Sequence, residues 1–211
     1  GNEILEEKND LIKENISNSG FKNRWLDARD IIRTDNAYRN ANIDWVLTDS
    51  LIKKEKLRGL PIITQGFIGC TSENFTTTLG REGSDFTAAV LGHAVSADCV
   101  VIWKDVLGIL NADPRFFQDA KKIETLPYAE AIELAYFGAK VIHPKTIQPL
   151  KDKNIPLHVR SFINPFAEGT LVSSEVQLKP LVPSFIVKEN QVLLSISAQD
   201  LSFIIEEITL R

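Results

Sequence analysis

The stretch from Pro61 to Trp103 leaves few folds open to this chain. Pro61-Ile62-Ile63-Thr64-Gln65-Gly66 reads as a buried strand that ends in glycine. Its apolar character is continuous rather than alternating, which suits a parallel strand covered on both faces. A polar loop runs from Cys70 to Thr78, followed by the turn Leu79-Gly80-Arg81-Glu82-Gly83. Beyond it Phe86, Ala89, Val90 and Ala94 recur at helical spacing, which predicts a helix over 86–97 with Ser84 or Asp85 as its N-cap. Asp98 to Trp103 is a second buried strand. Strand, helix and strand in this order form a βαβ unit with a right-handed crossover. A helix start with free N–H groups beside Arg81 suits an anion, and Gly80 and Gly83 would let a ligand come close to the backbone. By itself, the same turn is equally compatible with a connection that binds nothing.

The flanking segments extend the α/β pattern. Ile4, Leu5, Leu11 and Ile12 mark an amphipathic helix over 3–18, stopped by Asn18-Ser19-Gly20, with Glu3 on its surface. Phe21 to Leu26 is a short strand, and Asp27 to Asp30 a loop on which Arg29 and Asp30 are surface charges. Ile43, Val46, Leu47 and Leu51 mark a helix that ends at Gly59-Leu60-Pro61. After Trp103, turn residues at Asn111, Asp113 and Pro114 predict a loop. Pro127 to Phe137 is a helix with Ala131, Leu134 and Ala135 facing in and Gly138 after its end. His143 before Pro144 stiffens a turn or caps, and a helix over 145–150 and a strand over 155–159 follow. Ser184–Val187 and Val192–Ile196 read as two further strands across a polar turn.

Charge and cysteine content narrow the function class. A formal charge of −4 argues against nucleic acid or an anionic membrane as the main partner. No apolar run reaches the length of a membrane span. The two cysteines, Cys70 and Cys99, form no disulfide framework, and no residues have zinc-ligand spacing. Cys99 reads as a small buried hydrophobe, and the compartment as a reducing cytoplasm. A chain that begins with Gly and holds no Met reads as a fragment.

Four stretches, in order, resemble aspartate kinases of the amino acid kinase superfamily: WLDARDIIRTD (25–35), ITQGFIG (63–69), TTTLGREGSDFTAA (76–89) and ELAYFGAKVIHPKTI (133–147). The resemblance implies a three-layer α/β sandwich with a mostly parallel sheet over 1–175, its N-terminal part missing. It also implies the first strands of an ACT-type regulatory region over 183–211. The implied reaction is phosphoryl transfer from MgATP to L-aspartate, giving ADP and 4-phospho-L-aspartate. The implied partners are ATP, Mg²⁺, L-aspartate and, at the regulatory region, lysine or threonine, in a homo-oligomer.

By the same resemblance, Arg81, Glu82, Gly83 and Ser84 face the amino acid, with Arg81 on its α-carboxylate, and Asp85 orients catalytic groups. Lys104, Asp105, Leu110, Arg115, Lys140 and Val141 serve the nucleotide; an arginine fork can take two phosphate oxygens at once. No bound-metal cluster of the protein's own is implied. The chain departs from the family at three positions: Glu82 replaces a glycine, Lys104 a threonine and Leu110 a tyrosine. It also lacks the family's Lys-Phe-Gly-Gly motif, so the chain alone is expected to turn over negligibly; losing one electrostatic stabiliser costs roughly 100- to 1,000-fold. Two other functions remain compatible. One is a sister kinase acting on glutamate or N-acetylglutamate, and the other a non-catalytic regulatory protein that keeps the fold.

Overall fold

The computed structural model describes residues 22–55, 59–137, 141–174 and 183–187, with Glu14, Asn18, Gly20 and Glu189 as isolated positions. Apart from Glu14 and Asn18, the expected helix over 3–18 lies outside the described residues, as do Lys140 and the expected strand over 192–196. Among the described residues thirteen elements follow one another: β1 (Arg24–Trp25), α1 (Ala28–Ile31), α2 (Trp45–Lys54), β2 (Ile62–Ile63), β3 (Ile68–Cys70), β4 (Thr76–Thr78), α3 (Gly83–Val95), β5 (Val100–Lys104), β6 (Thr125–Pro127), α4 (Tyr128–Phe137), α5 (Pro144–Asp152), β7 (Leu157–Ser161) and β8 (Thr170–Ser173).

The main sheet has strand order β5-β7-β8-β6. β5 pairs with β7 in parallel, β7 with β8 antiparallel, and β8 with β6 in parallel. Helices α4 and α5 bury one apolar core against it, which includes Leu150, Leu157, Val159 and Val172, all fully buried. A second cluster gathers Leu26, Ile31, Ile32, Ile52 and Ile68 around α1 and α2. A third, Leu79, Phe86 and Val90, lies directly under the turn that precedes α3.

Several local expectations change. β2 pairs with β1 in its own two-stranded parallel sheet, so among the described residues β2 and β5 are not ladder neighbours. The segment 68–78 is a hairpin rather than a loop, with Ile68 opposite Thr78 and Cys70 opposite Thr76. Its threonines are structural: Thr77 is fully buried and its hydroxyl lies 2.8 Å from that of Thr34. β5 is buried on one side only, with Val101 37% and Trp103 45% exposed. Cys99, just before it, is exposed, and Cys70 is the buried thiol. On α2 the inward positions are Thr48 and Ile52, whereas Val46 is 85% exposed. Asp44 caps that helix by accepting from the Leu47 N–H, which fixes the register of its inward face. The segment 184–187 makes a single bridge, Phe185 with Ala112, and Phe185 stacks on Phe117 at 5.4 Å.

The segment expected as a loop at 27–30 is a helical turn. Asp27 is its N-cap, accepting from the Arg29 N–H at 2.8 Å and from the Arg29 guanidinium. Burial alone would raise the Asp27 pKa, but the hydrogen bonds and charge of Arg29, with help from Gln65, lower it below 3.8. A carboxylate lowered in the folded state stabilises fully above the unfolded value and loses that contribution as pH falls through the folded one. Urea midpoints measured from pH 7 down to pH 2 should therefore fall less for Asp27→Asn than for the parent below pH 4, values set by the ordinary aspartate range of about 3.9. Parallel curves over that window would remove Asp27 from the acid response.

Candidate active site

The turn before α3 is built by close backbone contacts. Gly80 has φ +78°, a conformation that costs a side chain dearly, and a β-carbon there would overlap Oδ1 of Asn40. A β-carbon on Gly83 would stand 2.6 Å from the Phe67 ring. Phe67 itself has φ 77° and its N–H donates to the Thr87 hydroxyl at 2.9 Å, which in turn donates to the Gly83 carbonyl. The 66–67 turn at the end of β2 is thereby clamped onto the first turn of α3.

The helix begins two residues earlier than a cap at Ser84 would place it, and three earlier than one at Asp85. Its N-cap is Glu82, at φ 53° and ψ 32° in the left-handed region, and the Glu82 side chain makes no capping bond. The Gly83 N–H is taken by the Gly80 carbonyl. The amides of Ser84 and Asp85 stand in the first helical turn, where no intrahelical acceptor exists. Ser84 and Arg81 are exposed, and Arg81 makes no hydrogen bond or ion pair among the described residues. An unpaired guanidinium beside donor amides at the positive end of a helix dipole is an environment for an anion.

Asp85 points the other way, to β5. Its Oδ2 lies 2.6 Å from Lys104 Nζ, with side-chain exposures of 16% and 23%. The contact is ionic and lacks the angle of an aligned hydrogen bond, since Asp85 Oδ2 has no hydrogen-bond partner. The pair therefore joins residues from two separate motifs at the carboxyl end of β5, the end at which ligands of open α/β sheets collect. Asp105 follows and is exposed.

Leu110, Arg115 and Val141 have contacts of their own. Leu110 is half-buried and bridges to Lys122. Arg115 is folded back on Asp113 at 2.5 Å, its guanidinium 5.8 Å from the Phe116 ring centroid, with 74% of its side chain exposed. Val141 packs against the main core. A residue that sequence reasoning gave no role, Lys145, reaches this turn from α5. The signal for it was a cation placed in the first turn of a helix, where the dipole disfavours it.

Glu82 is the misfit. A non-glycine residue in the left-handed region costs roughly 1–2 kcal/mol, partly offset by the chain entropy a glycine would lose. Its Oε2 is shielded from solvent and has no hydrogen-bond partner. Glu82→Gly is accordingly expected to stabilise the fold by about 0.5–1 kcal/mol, read as a higher urea midpoint at unchanged slope. A lower midpoint would show that the Glu82 side chain contributes a contact that outweighs its backbone strain.

Helices on a mixed, mostly parallel sheet define the class of this chain as α/β. The chain matches the amino acid kinase family over residues 8–161, and it belongs to that family. Within it, the chain is similar to the lysine-sensitive aspartokinase 3 of Escherichia coli, with 41% identity over 88% of this chain and 42% of the relative. It is 43% identical to an aspartokinase of Rickettsia prowazekii over 75% of this chain and 35% of that protein. The structure of E. coli aspartokinase III in complex with aspartate and ADP superposes with a TM-score of 0.76, covering 80% of this chain and 38% of the other. The chain thus spans well under half the length of these relatives.

Proposed function

We propose that this chain carries the acid- and nucleotide-binding part of an aspartate kinase, which transfers the γ-phosphoryl group of MgATP to the side-chain carboxylate of L-aspartate. A carboxylate oxygen forms the new bond to phosphorus as the bond to the β–γ bridging oxygen breaks, and ADP leaves. The attacking carboxylate is already ionised, so no general base is needed. Such transfer asks the protein for positioning and charge neutralisation, and the residues at the α3 turn supply those.

Arg81 takes the α-carboxylate of aspartate, with Glu82 and Gly83 beside it, and Ser84 and the first-turn amides stand toward the phosphates. Asp85, held by Lys104, orients the cationic groups around the transferring phosphoryl; Lys104, Asp105, Leu110, Arg115, Lys140 and Val141 serve the nucleotide. Among the described residues no three His, Cys, Asp or Glu side chains come together to hold a metal. Mg²⁺ would bind with the phosphates of ATP, as it commonly does, and supply charge neutralisation there. Residues 183–211 would open a regulatory region for lysine or threonine, in a homo-oligomer.

The observation that carries the reading is the exposed, unpaired Arg81 at the free amides of α3, backed by the Asp85–Lys104 pair. The test is hydroxylamine trapping of acyl phosphate by the full-length gene product with MgATP and, separately, aspartate, glutamate and N-acetylglutamate. Hydroxamate from aspartate alone supports the reading. Signal only from another acid keeps the family and changes the substrate. No signal from any acid by the folded protein favours a non-catalytic role, the reading to which the buried, partnerless Glu82 Oε2 inside the anion site lends weight.

A further inference from the structure

Lys145 is the second residue of α5, capped by His143, whose Nδ1 accepts from the Lys145 N–H. The positive end of a helix dipole disfavours a cation there, so other contacts must hold this side chain in place. It runs across to the α3 turn. Its Nζ donates to the Leu79 carbonyl at 3.3 Å and to Asn40 Oδ1 at 3.4 Å, and stands 4.8 Å from the Phe86 ring centroid. Among the described residues no carboxylate lies within ion-pair distance of it. Burial lowers its pKa, with Asp35 acting in the opposite sense. A desolvated ammonium with only neutral oxygens and a ring face as partners is one whose hydrogen bonds to those oxygens matter.

The partners are the ones that matter for the turn. Leu79 is followed at once by Gly80 and Arg81. Asn40 Oδ1, the second acceptor, is the atom that packs on Gly80. The segment that carries Asn40 is tied to the same place: the Thr78 N–H donates to the Tyr38 carbonyl, the Thr78 hydroxyl to the Arg39 carbonyl, and the Ala41 N–H to the Thr78 carbonyl. Three stretches distant in sequence (38–41, 78–80 and the start of α5) therefore meet at one ammonium group.

We propose that Lys145 is a positioning residue: it fixes the Leu79–Arg81 turn and thereby the direction from which Arg81 meets the carboxylate of the amino acid substrate. The proposal rests on the aspartate kinase reading for its substrate, but the positioning of the turn does not. Lys145 acts through a backbone carbonyl and touches no reacting atom.

The test uses the full-length gene product with Lys145→Met, which keeps an unbranched side chain without the charge or donors, and Lys145→Arg, which keeps the charge and the donors. Amide hydrogen exchange over 79–83 should quicken about tenfold in Lys145→Met, as expected for loss of one charge-assisted bond, and return toward the parent rate in Lys145→Arg. Exchange over 146–152 should stay unchanged. In the hydroxamate assay the KM for aspartate should rise about tenfold in Lys145→Met, with the KM for ATP unmoved, and recover in Lys145→Arg. Unaltered exchange over 79–83 overturns the proposal whatever the activity. Faster exchange with both KM values raised alike overturns it too, since that is a general structural loss. If the unsubstituted protein makes no hydroxamate from any acid, the aspartate reading fails, and the exchange comparison alone upholds or overturns the positioning of the turn.

Discussion

Arg81→Ala is expected to lower kcat/KM for aspartate by about 100- to 1,000-fold in the full-length gene product, the usual cost of removing one preorganised charged donor from a reacting site. Its stability should shift by no more than about 0.5 kcal/mol, because exposed side chains without partners contribute little to folding. The two expectations together are unusual, and they follow from one fact: Arg81 is exposed and unpaired at the helix start. A structural arginine would show the reverse, with a large loss of stability and a proportionate loss of activity. Lys substitution should recover only part of the loss, since an ammonium cannot present two parallel donors to a carboxylate. Hydroxamate progress curves with aspartate and urea midpoints check both halves. A loss in kcat/KM of less than roughly fivefold would take the carboxylate away from Arg81 and reopen the role of the turn.

Leu157→Ala is expected to have the largest effect on folding, a loss of about 2–5 kcal/mol. Leu157 is fully buried in β7, which pairs with β5 on one side and β8 on the other. Truncation there removes apolar burial and leaves a cavity that a strand held on both edges cannot collapse to fill. Domains of this size have only some 5–15 kcal/mol in total, so the variant should unfold at markedly lower urea. Val46→Ala is the matched control: at 85% exposure it should change stability by no more than about 0.5 kcal/mol. Equal losses for the two variants would contradict the placement of the core.

The order of the elements was readable from residue pattern because the longer helices and strands carry strong periodicity. The existence and inward face of α3, the inward face of α4 and the cap at His143 all follow from apolar spacing and turn chemistry. Among the short elements, β1 and β2 fall inside the strands expected at 21–26 and 61–66, but their bounds, and α1 and β6 altogether, were not readable. β1, β2, α1 and β6 are fixed by partners far away in sequence, such as the Gln65 side chain that accepts from the Ala28 N–H at 2.7 Å, and no local window contains that information. The faces of α2 and β5 were misjudged for a related reason. Val46 and Cys99 are apolar by composition, but the cap at Asp44 and the pairing of β5 decide which way they point.

At the candidate site, motif resemblance placed Arg81 to Asp85 and Lys104 in one neighbourhood, and the structure joins Asp85 to Lys104. What resemblance could not show is that the N-cap falls on Glu82, because the left-handed backbone there is set by the contacts of Gly80 and Gly83. Nor could it show Lys145, whose importance comes from a contact with Leu79 66 positions away. The clue was a local rule broken without local compensation, a cation at a helix start, and broken rules of this kind concentrate at functional sites.

Phosphoryl transfer to aspartate is read most directly by ³¹P NMR of the full-length gene product incubated with MgATP and L-aspartate. An acyl phosphate resonance is expected that grows with ADP in equal amounts, depends on aspartate, and grows at least about 100-fold more slowly in Arg81→Ala and Asp85→Ala. ADP without acyl phosphate, formed equally with and without aspartate, or no consumption of ATP by the folded protein, would contradict it.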